Sequence, residues 1–201
     1  MLKSVIIFWS HGRLLYSKTY GVASKDPHLV SGFLAAFTSF AKELGEKEIR
    51  SITMQPHKIF MSVSQDLCFT IQLDQDDKEA HGTLILESLI DAFLSFYGEM
   101  LDPTQNFELK LFKTFEPVLD ELNIIKNFFE LIESSNKILS LPQLQKMYDK
   151  EYNDEIPLAQ CWQSLNFLVL KDVIVKVTDN YKLYYRKKGE LLKNFGLKFK
   201  K

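Results

Sequence analysis

The sequence predicts an α+β protein of 201 residues built as two small domains, residues 1–121 and 122–201. Three observations predict it. Short strand-like runs and longer helical stripes alternate along the first half. The second half changes rhythm to three helices and a hairpin. Charge also divides there: residues 1–121 hold 11 Lys/Arg against 17 Asp/Glu, a net of −6, and residues 122–201 hold 14 against 9, a net of +5. Core material is ample, with 16 Phe and 8 Tyr in a chain that is 46% apolar. Each buried Phe is worth roughly 1.5–3 kcal/mol in transfer terms.

In the first domain, Val5 to Trp9 and Leu14 to Tyr20 read as strands rich in β-branched and aromatic residues. Ser10-His11-Gly12-Arg13 is the turn between them, with Gly12 free to take positive φ. Asp26-Pro27 starts a helix over about 27–44, ended by Gly45. Leu29, Phe33, Phe37, Phe40 and Leu44 are expected to turn inward as one stripe. Val30 and Leu34 fall to its side, where two roles are open to them: widening the core or contacting a partner.

Residues 49–54, 58–64 and 67–73 read as three further strands, with turns at Pro56-His57 and Gln65-Asp66. A polar break of Asp74, Asp76, Asp77, Lys78 and Glu79 leads into a helix carrying Leu86, Leu89, Ile90, Phe93, Tyr97 and Met100. After Asp102-Pro103 comes another helical stretch with Phe107, Leu111, Phe115 and Leu119, kinked or restarted at Pro117. The order β-β-α-β-β-β-α-α implies a five-stranded antiparallel sheet with helices against it. A face or edge of that sheet is left for a partner strand or for self-pairing.

The second domain opens with a helix over 122–134, directing Leu122, Ile125, Phe129 and Ile132 inward. Ser140 caps a second helix, and Pro157 starts a third with Leu158, Cys161, Trp162, Leu165 and Leu168 expected inward. Val173–Val177 and Lys182–Arg186 are strands around an Asp179-Asn180 turn. Three helices followed by a hairpin is the winged-helix pattern.

The opening hairpin, Val5-Ile6-Ile7-Phe8-Trp9 and His11-Gly12-Arg13-Leu14-Leu15-Tyr16-Ser17-Lys18, together with the element order resembles the longin domain of the longin and roadblock superfamily. The resemblance covers about the first 120 residues. It implies a non-enzymatic scaffold that takes a protein partner: a small GTPase, another longin-like subunit, or a second copy as a homodimer. It also implies a cytoplasmic place, peripheral at membranes, within trafficking or nutrient-signalling complexes.

Residues with chemical potential are scattered. His11, His28, His57 and His81 form no His-Glu-x-x-His or Cys/His set, and surface or capping roles are expected for them. The Asp74–Glu79 run has Glu79 where a calcium loop needs Gly and Ile85 where it needs Glu. The eight glycines build neither a phosphate loop nor a dinucleotide fingerprint. Cys68 and Cys161 read as buried thiols. Arg13 and Arg50 are the arginines considered as donors to a GTPase partner. No cofactor, no metal and no catalytic residue is assigned.

The competing function is nucleic-acid binding through the winged helix, with the first domain as dimeriser. The third helix offers Gln160, Gln163, Ser164 and Asn166, yet no Lys or Arg. Residues 140–172 hold three Lys against five Asp/Glu, so phosphate neutralisation there is poor. Positive charge comes later. Lys182, Arg186, Lys187, Lys188, Lys193, Lys198, Lys200 and Lys201 face only Glu190. Arg186 and the six lysines from Lys187 onward are the candidate contacts with an anionic membrane or with phosphates. Interleaved Leu191, Leu192, Phe195, Leu197 and Phe199 suit either a membrane or packing on the domain.

Overall fold

The computed structural model describes residues 2–20, 26–45, 50–135, 137–179 and 182–188. The chain divides into two compact units, Met1–Asn123 and Ile124–Lys201.

In the first unit, β1 (Ser4–Trp9) and β2 (Leu14–Thr19) form the opening hairpin, followed by α1 (Pro27–Glu43). Then come β3 (Ser51–Met54), β4 (His57–Ser64), β5 (Leu67–Asp74) and α2 (Glu79–Tyr97). The five strands pair antiparallel in the order β2-β1-β5-β4-β3. Gly12 takes φ +97° in the hairpin turn, and Gln65 and Asp66 take φ +50° and +62° between β4 and β5. Two successive left-handed residues suit a tight two-residue hairpin.

Helices cover both faces of this sheet, not one. The register sets Ile7 beside Phe69 and Phe8 beside Cys68 and Leu14. Ile6, Phe8, Leu14 and Cys68 therefore share one face, where they cluster with Leu34 and Ala35 of α1. Phe69 lies on the other face, its ring 5.7 Å edge-on from Phe93 of α2. Phe93 continues that core to Tyr97, Phe112 and Phe115. The double cover explains why every residue of β1 from Val5 to Trp9 is buried: strands covered twice read as continuous apolar runs.

The stretch after Pro103 departs from the expected helix. A 3₁₀ segment, Leu109–Phe115, buries Phe112 and Phe115 and runs directly into α3 (Glu116–Ser135). Pro117 sits in the first turn of α3, where its missing N–H costs nothing. The helix expected at 122–134 is thus the continuation of α3, and the division between units falls inside it. Lys18 and Tyr20 both meet the Asp120 carboxylate, at 2.7 and 3.1 Å, fixing β2 to the start of α3.

The second unit continues with β6 (Leu139–Ser140), α4 (Leu141–Tyr152), α5 (Leu158–Leu170), β7 (Ile174–Asp179) and β8 (Lys182–Lys187). Its three strands order as β6-β8-β7. The Ser140 backbone N–H donates to Gln143 Oε1 at 2.8 Å, capping α4, and Asn153 ends that helix at φ +50°. Phe128 stacks on Tyr148, and Leu144, Cys161, Leu165, Leu168 and Tyr185 are buried with them. Leu158 and Trp162 depart from the expected inward stripe of α5 and stand about half exposed. The buried side is set by Cys161, Ser164, Leu165 and Leu168 at three- and four-residue spacing, which leaves 158 and 162 on the shoulder.

Gly82 packs directly against the Phe60 ring. A Cβ there would stand 2.4 Å from the Phe60 ring, which is 3% exposed. Gly82→Ala gains about 1 kcal/mol of helix propensity, but overpacking a buried ring costs about 1–3 kcal/mol. Chemical denaturation is expected to show net destabilisation, with part of the loss recovered in a Gly82→Ala/Phe60→Leu double variant.

Candidate interaction surface on α1

The α1 helix is apolar on both sides. Between Pro27 and Ala41 its only ionisable side chain is His28. Its N-terminus is capped by Asp26, whose carboxylate accepts from His28 N–H at 2.9 Å, and Gly45 at φ +87° closes the other end. What distinguishes the two faces is size. The inward residues are Ser31, Leu34, Ala35, Thr38 and Ala41. Small side chains let the helix approach the sheet closely. Ser31 Oγ donates to the Gly12 carbonyl at 2.9 Å, and a Cβ on Gly12 would meet Gly32 Cα at 3.4 Å.

This reverses the orientation expected from sequence. Leu29, Phe33, Phe37, Phe40 and Leu44 point to solvent, with exposures of 73, 61, 36, 55 and 68%. Phe33 and Phe37 stack on each other at 6.1 Å, 7° from parallel. At about 200 Å² per fully exposed side chain the five present roughly 600 Å² of apolar surface, the upper end for the largest patch on a monomer. Leu34, open in the sequence to core or partner, is core at 1% exposure, and Val30 packs against the same cluster. The signal that finds the outer face was present in the sequence. A helix free of charge on every side has two faces to cover, not one.

The other sequence candidates are dispersed. Arg13 donates to Asn106 Oδ1 at 3.1 Å and to the Pro103 carbonyl at 2.7 Å, so its guanidinium ties the hairpin to the 103–106 loop. Arg50 lines a cleft of about 330 Å³ between the β3–β4 edge and α2, whose other charged residues are Glu79 and Glu87. The Asp74–Glu79 run forms a turn in which Asp74 N–H donates to Asp77 Oδ2 at 3.0 Å. His81 departs from its expected surface place and is 4% exposed.

On α5, Ser164 is buried rather than outward, and the outward face carries Leu158, Trp162 and Gln163. Lys187 pairs with Glu133 and Lys188 with Asp172. Arg186 is half-buried on β8. Lys193, Lys198, Lys200 and Lys201 lie outside the described residues. Among those residues no helix is long and apolar enough to cross a membrane.

Neither thiol has the setting of a nucleophile. Burial pushes Cys68 up to about 11, against a smaller opposing pull from Lys42. Burial, then Asp149, pushes Cys161 to about 11. Both cysteines are unpaired.

No family model matches the chain, and no curated protein matches it. Solved structures resemble parts of it. A Roadblock/LC7 domain from Streptomyces avermitilis is 11% identical over 47% of this chain and 84% of its own, at TM-score 0.41. MglB of Myxococcus xanthus is 15% identical over 49% of this chain and 85% of its own, at 0.43. A chain in a homology model of the full-length AP-3 complex is 11% identical over 86% and 98%, at 0.41. Scores this low carry no argument about function.

The two raised thiols have a pH consequence. The unfolded chain releases these protons near 9.0, the folded chain near 11. Their contribution to stability is whole below pH 9 and is lost as pH rises through 11. In the folded protein at pH 8, a thiol reagent is expected to leave both cysteines unlabelled while urea-unfolded chain reacts fully. Labelling of the folded chain should climb between pH 9 and 11.

Proposed function

We propose that the protein is a non-enzymatic interaction module: a longin-like first unit that docks a protein through α1, joined to a winged-helix second unit. Its role on this reading is that of a scaffold or regulator associated with small GTPases or membrane trafficking. The outward face of α1 is the observation that carries it. Five large apolar side chains, with no charge between the first four and only Lys42 and Glu43 before the fifth, are a recognition surface for a folded protein, since solvation alone gives no reason to keep them there. Buried aromatics in such a patch supply most of the binding energy.

Element order supports the longin reading of the first unit. Three helices and a three-stranded sheet support the winged-helix reading of the second. The link to GTPases and trafficking comes from the longin resemblance. Arg13 is held by the 103–106 loop, so a catalytic arginine for a GTPase is not part of the proposal. The α5 helix carries no Lys or Arg and presents Leu158 and Trp162, which favours a protein over a nucleic-acid phosphate as its contact.

The test is retention of partners from the source cell by the tagged full chain, with and without Phe33→Glu/Phe37→Glu. Both residues are exposed, so the double variant is expected to keep its fold by circular dichroism. Recovery of a small GTPase or a longin-like chain by the wild type, reduced at least ten-fold in the variant, is the expected result. Equal retention by both proteins would refute the α1 assignment. Salt-sensitive capture of duplex DNA instead would favour the nucleic-acid reading.

A further inference from the structure

We infer that the outer stripe of α5 is covered by the chain's own basic and apolar segment, residues 189–201, lying antiparallel along the helix. The inference rests on the reading of α5 as a protein contact and names the segment that meets it. On α5, Leu158 and Trp162 are about half exposed, Val169 is half-buried and Leu170 is 83% exposed. Helical spacing puts them on one side of the helix. No charged residue occurs between Leu158 and Leu170. Charge stands at the ends instead. Glu151, Asp154 and Glu155 are exposed ahead of the helix, against Lys150, and Lys171 follows it with its ammonium over the Phe167 ring. This surface asks for an occupant that is apolar along its length and basic where it meets the start of α5.

The sequence from Gly189 to Lys201, which lies outside the described residues, has that order. Glu190 comes first, Leu191, Phe195 and Phe199 recur every fourth residue, and Lys198, Lys200 and Lys201 come last. The described chain delivers it to the matching end of the helix. Lys188 N–H donates to the Val173 carbonyl at 3.3 Å and its ammonium pairs with Asp172, so β8 ends beside the turn that follows α5. From there an antiparallel course sets Glu190 near Lys171, the apolar residues along Leu170, Trp162 and Leu158, and the last lysines among Glu151, Asp154 and Glu155. Those three carboxylates outweigh the roughly half positive charge of a helix N-terminus. Length agrees. The 13 residues of α5 rise roughly 20 Å. The residues beyond Lys188 equal them in number, so they span about the same distance as a helix and roughly twice that when extended. Tethering favours this segment over a basic peptide from elsewhere, because a linked segment meets its site at an effective concentration on the order of millimolar.

Trp162 reports the contact, because the chain's other tryptophan, Trp9, is 2% exposed. Acrylamide quenching of the full chain is expected to find Trp162 shielded, with a quenching constant that does not change with protein concentration. Lys198→Glu/Lys200→Glu/Lys201→Glu is expected to raise that constant at least three-fold with circular dichroism unchanged. Phe195→Ser/Phe199→Ser is expected to do the same by removing the apolar half of the contact. Adding Glu151→Lys/Asp154→Lys/Glu155→Lys to the charge-reversed segment is expected to restore the shielding.

Equal quenching of Trp162 in the wild type and in the charge-reversed segment would overturn the covering. Shielding that the charge swap fails to restore would overturn the antiparallel course. Capture of the full chain through the same lysines by vesicles of phosphatidylcholine and phosphatidylserine, with Trp162 in solution as open to acrylamide as in the variants, would give the segment to the membrane instead. None of these variants touches α1, so retention of a partner through Phe33 and Phe37 is judged apart from this contact.

Discussion

The α1 helix sits close enough to the β1–β2 turn for Ser31 Oγ to reach the Gly12 carbonyl at 2.9 Å, and that approach decides which of its two apolar faces turns inward. Only small side chains tolerate it. Ser31, Ala35, Thr38 and Ala41 make a thin face along the helix, and a Cβ on Gly12 would already stand in contact with Gly32 Cα at 3.4 Å and Ala35 Cβ at 3.5 Å. Leu34 is the single large residue on that side, and it fills the gap over Ile6, Phe8 and Cys68. A Phe in place of Ala35 would lift the helix off the sheet. The large residues of the same helix have one place left, which is outside.

An exposed stripe of this kind carries a cost that the fold does not recover within the first unit. Leaving a large apolar side chain in water forgoes about 1.5–3 kcal/mol of burial. Five of them along one helix, with only Lys42 and Glu43 intervening near its end, leave that burial unmade within the first unit. The same geometry makes the surface rigid. The helix is capped at Asp26 and closed at Gly45, and its inner face is packed, so its backbone is held in place. The groups with chemical potential are dispersed among the described residues. Arg13 is committed to a loop, the thiols are buried with raised proton affinity, and the charged residues of the α2 cleft are an arginine and two glutamates.

The five strands of the first unit and the limits of α1 were legible because local signals agree. Gly12 at positive φ, Asp26-Pro27 as a helix start, Gly45 as its stop and Gln65-Asp66 as a turn each act within a few residues. Two things were not legible from periodicity. The first is the second cover on the sheet: β1 reads as an unbroken apolar run, and a run without alternation does not say what lies on each side. The second is the polarity of α1. Periodicity finds a stripe, and the largest stripe was Leu29–Leu44, but close packing selects by size as well as by apolarity. The charge-free length from Pro27 to Ala41 held the corrective information. The fate of Leu158 and Trp162 on α5 has the same cause on a smaller scale: Cys161 and Ser164 take the inner side, and the larger neighbours are displaced to the shoulder.

Adjacent residues on α1 give the most direct measurement of its orientation. Thr38 is 8% exposed with its hydroxyl donating to the Leu34 carbonyl, while Ser39 is exposed and lies off the Leu29–Leu44 stripe. Replacing each by Leu and comparing unfolding free energies asks which side of the helix is packed. Thr38→Leu is expected to lose about 1–3 kcal/mol by overpacking and Ser39→Leu to stay within about 0.5 kcal/mol of the wild type. A large loss at Ser39 with none at Thr38 would contradict it.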